Sequence, residues 1–116
     1  MRLLATLAAF SLLPALGACQ TTGGTAALRP SVAAQELIGR DGGGVRSALG
    51  EPKRIRKEDS AQVWQYDGGS CVLDLFLYPE GSGHHVVHLE ARDVLDGKAF
   101  DSDRCVAQVQ NPTRAT

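Results

Sequence analysis

All three histidines of the chain fall in one stretch, His84-His85-Val86-Val87-His88. Imidazoles four residues apart hold zinc when a helix turns them onto one face, as in the His-Glu-x-x-His motif. Here His85 stands where that motif needs a glutamate, and the β-branched Val86 and Val87 favour a strand. In a strand His84 and His88 share a face, which would offer a metal two ligands at most. Solvated or partly packed strand histidines are the expectation, and no metal or cofactor is assigned. Asp74 could face His88 from a neighbouring strand, but Ser70 and Ser82 fall in turns and offer no nucleophile. No catalytic constellation emerges, and no enzymatic activity is predicted. Gly42-Gly43-Gly44 could cradle a phosphate at a helix N-terminus. No Lys-Ser or Lys-Thr follows it and no strand precedes it, so it reads as a weak first helical turn.

The remaining chemistry belongs to cysteine. Leu3 to Leu13 is apolar apart from Thr6 and Ser11, and Arg2 is the lone charge before it. That run is too short to span a bilayer and suits the apolar region of a signal peptide. Leu16-Gly17-Ala18-Cys19 then resembles the lipobox of bacterial lipoproteins. The resemblance implies cleavage before Cys19, acylation of its thiol and amino group, and, with Gln20 rather than aspartate next, sorting to the outer membrane. Removing residues 1–18 of 116 leaves 98, with 11 basic and 13 acidic side chains. So near-neutral a balance argues against a nucleic-acid partner. With Cys19 acylated, Cys71 and Cys105 remain as a pair, and an oxidising compartment makes a disulfide of them.

Those residues need elements to position them, and the clearest is Cys71-Val-Leu-Asp-Leu-Phe-Leu-Tyr78. It alternates over eight residues, with Cys71, Leu73, Leu75 and Leu77 on one side and Val72, Asp74, Phe76 and Tyr78 on the other. That is a strand with one apolar face, ended by Pro79. Residues 53–58 and 61–67 flank Asp59-Ser60 as a hairpin, with Trp64 and Tyr66 on one face. Residues 84–91 form a further strand, with Val87, Leu89 and Ala91 inward. Two short helices precede the sheet. The first is capped by Ser31 and stopped by Gly39; the second is capped by Asp41, carries Val45, Ala48 and Leu49, and ends at Gly50 and Pro52. Residues 92–104 read as a loop or an irregular turn of helix carrying Phe100, residues 105–109 as a short final element, and residues 111–116 as a disordered tail. Residues 19–30 are small and polar, a flexible tether. The predicted domain, residues 31–110, is α+β: two short N-terminal helices on one face of a three- or four-stranded antiparallel sheet.

Gly39-x5-Val45-x3-Leu49-Gly50-x-Pro52, followed by Trp64-x-Tyr66 and an alternating leucine strand, resembles the small outer-membrane lipoproteins of the SmpA/OmlA type, the BamE-like family. The resemblance covers about Leu37 to Leu77 together with the lipobox. It implies a two-layer sandwich and a non-enzymatic accessory of the machinery that inserts β-barrels into the outer membrane. The expected role is a lipid-anchored periplasmic module that binds an envelope protein. An inhibitor or stress-type lipoprotein acting on a soluble periplasmic enzyme is the alternative. Lys53-Arg-Ile-Arg-Lys57 reads as an edge strand guarded by charge, or as a contact for anionic headgroups. The candidate partner surface is the outer sheet face, with Val72, Phe76 and Tyr78 at its centre and Val63 and Val86 beside them. Gln65, Asp74, His88 and Glu90 surround these residues, unless the C-terminal segment covers the face.

Overall fold

The computed structural model describes Gly17 and residues 31–112. The expected signal segment apart from Gly17, Cys19 with the expected tether to residue 30, and residues 113–116 lie outside the described residues. The fold is α+β, a four-stranded antiparallel sheet with short helices, in the order α1 (Ala34–Leu37), α2 (Gly42–Leu49), β1 (Arg54–Glu58), β2 (Ala61–Asp67), β3 (Cys71–Glu80), β4 (Gly83–Asp93) and α3 (Ser102–Gln110). The strands lie side by side in chain order. Each is joined to the next by a tight turn, which only antiparallel neighbours permit. Among the described residues no helix is long and apolar enough to cross a membrane.

Alternation in β3 sets the two faces. Cys71, Leu73, Leu75 and Leu77 are fully buried, and they join Trp64, Tyr66, Val86 and Ala91 in one core. The helices supply its other half: Leu37 of α1, Val45, Ala48 and Leu49 of α2, and Cys105, Val106 and Val109 of α3. The first helix starts later than expected. Ala33 is its N-cap, its N–H reaching Glu36 Oε2, while Ser31 stays outside. Asp41 caps α2 as its position predicts, accepting from the Gly44 N–H at 2.8 Å. Gly42 earns its place by packing: a Cβ there would lie 3.0 Å from the edge of the Trp64 ring. The glycine run thus lets the start of α2 settle onto Trp64, with the Arg46 guanidinium 4.4 Å from the ring centroid. It is no phosphate loop, because the Asp41 carboxylate already occupies the helix N-terminus.

Where a loop or irregular helical turn and then a short final element are expected, one continuous helix, α3, forms. Residues 102–110 carry the apolar stripe Cys105, Val106 and Val109 amid polar neighbours, and Asp101 caps them by accepting from the Arg104 N–H at 2.7 Å. Asp103, too, belongs to this helix rather than to a loop, and its carboxylate takes the Ala34 N–H of α1 at 2.7 Å. Asn111, expected in a disordered tail, closes the helix through its N–H to the Ala107 carbonyl at 3.0 Å. The Cys71–Cys105 disulfide spans 5.9 Å between Cα atoms and ties the start of β3 to α3.

One residue in β4 changes which side chains face the core. Leu77 pairs with Val86, but Phe76 pairs with His88, so Val87 is an extra residue in the ladder. Val86, expected on the outer face, is therefore buried, and Val87, expected inward, is exposed. The same bulge separates the histidines. His84 pairs with Pro79, on the side of the inward leucines, and His88 pairs with Phe76 on the other. Alternation without a bulge would have put them together.

Two stability predictions follow from this arrangement. Cys105→Ala, or reduction, removes the constraint on a 34-residue separation. It should cost about 3–4 kcal/mol in urea unfolding, the chain-entropy value for such a loop. Val86→Ser should cost roughly 2 kcal/mol or more, whereas Val87→Ser should stay within about 0.5 kcal/mol. Equal costs at the two positions would show that the bulge is misplaced.

Candidate interaction surface

With every helix contributing to the core on the inner face, the outer face carries no helix among the described residues. α3 goes inward through Cys105, Val106 and Val109, so the C-terminal helix does not cover it. Register places Val63, Phe76 and His88 in one row across β2, β3 and β4, and Tyr78 beside His85 in the row above. The Phe76 and His88 rings stack at 5.4 Å, tilted by 40°. This contact leaves Phe76 half-buried rather than solvent-facing, and Val63 is 2% exposed although it lies outside the core. Tyr78 is 49% exposed and Val87, delivered to the surface by the bulge, 50%. These two, with Phe76 beneath them, form the apolar end of the face.

A polar strip divides that end from a second one. Asp74 pairs in register with Glu90, not with His88, and takes the Arg92 guanidinium at 3.4 Å and the Gln65 amide at 3.4 Å. Beyond the strip Val72, half-buried, and Val94, 44% exposed, line a depression of about 190 Å³ with Lys53, Gln65 and Asp67. Val94 lies in the stretch whose pattern predicts a loop or an irregular turn of helix. Its N–H bonds to the Ser70 carbonyl at 3.1 Å, which continues the hairpin beyond β4. The signal for this ordered turn is the pair Asp93 and Asp96, each of whose carboxylates accepts the backbone N–H two residues on, from Leu95 and Lys98.

Asp67 is the one group here whose acidity is clearly altered. The Gly69 N–H donates to its carboxylate at 2.8 Å and the Lys53 ammonium sits 3.3 Å away. The Gly69 hydrogen bond, then the Lys53 partner, holds its pKa below the usual carboxylate value.

The histidines do not assemble a site. His84 Nε2 lies 2.8 Å from the Ser60 carbonyl, His88 Nε2 lies 3.1 Å from Glu90 Oε1, and His85 Nδ1 lies 3.7 Å from Glu80. Among the described residues no three His, Cys, Asp or Glu side chains converge as metal ligands. A groove of about 450 Å³ opens between α1, β4 and α3, lined by Ile38, His88, Leu89, Asp101 and Asp103 among others. Its carboxylates are committed to helix N–H groups, Asp101 to Arg104 and Asp103 to Ala34. The arrangement sets apolar side chains on either side of an ionic strip in which Asp74 holds Arg92 and Gln65.

Because the folded pKa of Asp67 is depressed, its contribution to stability is present above the unfolded value, near pH 4, and is lost as pH falls through the folded value. Asp67→Asn should therefore flatten the fall of the urea midpoint below about pH 4 and leave the curve above pH 6 parallel to that of the parent. An unchanged acid limb would show that the Gly69 and Lys53 contacts contribute nothing.

Comparison with protein-family models, with curated proteins and with solved structures finds no match to this chain.

Proposed function

We propose that the protein is a lipid-anchored periplasmic binding module, held at the outer membrane through Cys19 and serving as an accessory of β-barrel assembly. In this reading the domain is a two-layer sandwich whose helical layer is structural. The opposite sheet face, around Tyr78, Val87 and Phe76, meets an envelope protein. The observation that carries the reading is the uncovered outer face, with large apolar side chains at a fixed spacing and a polar surround. The lipobox-like Leu16-Gly17-Ala18-Cys19 supports the location. The helix-to-strand spacing from Gly39 to Tyr66, similar to that of BamE-like lipoproteins, supports the assembly role. No catalytic or cofactor chemistry is assigned to the domain. Tyrosine suits an anchor of this kind, since it brings a large apolar surface and a hydroxyl at little entropic cost.

A photo-crosslinking residue at Tyr78 in intact cells should capture a component of the barrel-assembly machinery. Capture of a soluble periplasmic hydrolase instead would assign an inhibitory role. Tyr78→Ser combined with Val87→Ser should reduce capture about tenfold or more while thermal unfolding stays nearly unchanged, because both residues are about half exposed and lie outside the core. Cys19→Ser should leave an unprocessed or mis-sorted chain. Normal mature mass and membrane fractionation in that variant would remove the anchor from the reading.

A further inference from the structure

The two edges of the sheet are finished differently. Along β4 the chain covers its own edge: Gly39 and Arg40 exchange hydrogen bonds with Val86 at 2.8 and 2.9 Å, and Lys98 and Phe100 bond to Asp93 and Ala91. Both segments run antiparallel to β4, like pieces of an outer strand. At the opposite edge β1 pairs only with β2 among the described residues, and all five of its residues are exposed. Its second row of N–H and C=O groups therefore points to solvent, a ready template for another strand.

The side chains on that edge are cationic on both faces. Arg54 and Arg56 lie on the outer side, opposite Gln65 and Val63; Ile55 and Lys57 lie on the helix side, opposite Trp64 and Gln62. Arg56 is held by Glu58 of its own strand at 2.8 Å and Lys53 by Asp67 at 3.3 Å. Arg54 and Lys57 form no ion pair among the described residues, and Ile55 between them is 40% exposed.

We propose that β1 is a strand-docking edge that accepts an extended acidic segment of a partner protein as a fifth strand. Cations on an edge discourage pairing with another cationic edge. The same cations favour a strand whose carboxylates stand opposite Arg54, Arg56 and Lys57, with an apolar residue opposite Ile55. The chain cannot supply that strand from its undescribed segments, since it has no Asp or Glu before Glu36 or after Asp103. Its acids instead belong to helices, strands and turns already folded into the domain. An acidic occupant does not come from the undescribed parts of these 116 residues, and the proposal places it on a partner protein. This edge is separate from the Tyr78 surface, and it stands whether or not that surface binds.

The test uses the intact purified protein and a short capped peptide of alternating glutamate and valine. Binding should protect amides of residues 54–58 from hydrogen exchange, and a lysine–valine peptide should bind at least about tenfold more weakly. Of two glutamate–valine peptides N-methylated on alternate residues, the one whose free amides face β1 should keep its affinity. The other should lose about tenfold or more. Arg54→Glu with Arg56→Glu should reverse the charge preference, and if that variant fails to fold, Arg54→Gln with Arg56→Gln should weaken the acidic peptide about tenfold. Equal affinity of the two methylated peptides, or no protection at residues 54–58, overturns the proposal. So does failure of the peptide to bind while phosphatidylglycerol vesicles bind in an Arg54- and Arg56-dependent way, since the edge would then be a membrane-facing charge patch.

Discussion

Everything described depends on burying one row of side chains, Cys71, Leu73, Leu75 and Leu77 of β3, each with no exposed surface. A single sheet cannot hide that row by itself, and one face of it must be covered by something apolar. Three short helices provide the cover, and none is long enough to be stable in isolation. α1 has four residues, α2 eight and α3 nine. Their order comes from tertiary packing, reinforced where the disulfide fastens α3 to the first residue of the leucine row. A Cβ added at Gly68 would collide with the Cys71 sulfur, which shows how tightly that corner is filled. A side chain at position 68 would displace the bridge.

Committing all apolar helix surface to one face leaves the other face to do something else. Its residues organise themselves: Asp74 gathers Arg92 and Gln65 into a strip, and Phe76 stacks on His88. What remains available to a partner is Tyr78 and Val87 at one end and Val94 at the other. The apolar patch therefore differs from the one expected around Val72, Phe76 and Tyr78. Val72 and Phe76 are half-buried by neighbours on their own face, and the most accessible positions come from a bulge and a turn.

Charge is distributed in keeping with this division. The basic run sits on β1, where among the described residues no helix protects the strand and its outer edge is unpaired. The acids of residues 93–103 serve the backbone instead: Asp93 and Asp96 hold the turn after β4, while Asp101 and Asp103 receive helix N–H groups. Counting charges would call both regions solvated surface. Only the hydrogen-bond partners separate an acid that is structural from a cation that is free.

Local rules were enough to read the buried row of β3 and the presence of the β1–β2 hairpin, because apolar side chains at every second position must share a hidden face; they stopped β3 at Pro79, which instead pairs with His84 and lets the strand run to Glu80. They were enough also for the Asp41 cap and for the pairing of Cys71 with Cys105, each of which rests on the chemistry of single residues. Three features needed the folded chain. Gly42 looks like a weak helical residue until Trp64 is found against it. α3 looks like a charged loop or irregular turn of helix with a short element after it, since its apolar stripe is short and gains meaning only when the leucine row lies beneath it. Val86 and Val87 are the same residue type in adjacent positions, so no property of either says which is buried. Pairing with Leu77 on one side and with Arg40 on the other decides it. Residue chemistry and periodicity determine which surfaces must be hidden; the register between distant segments determines which surfaces are left to bind.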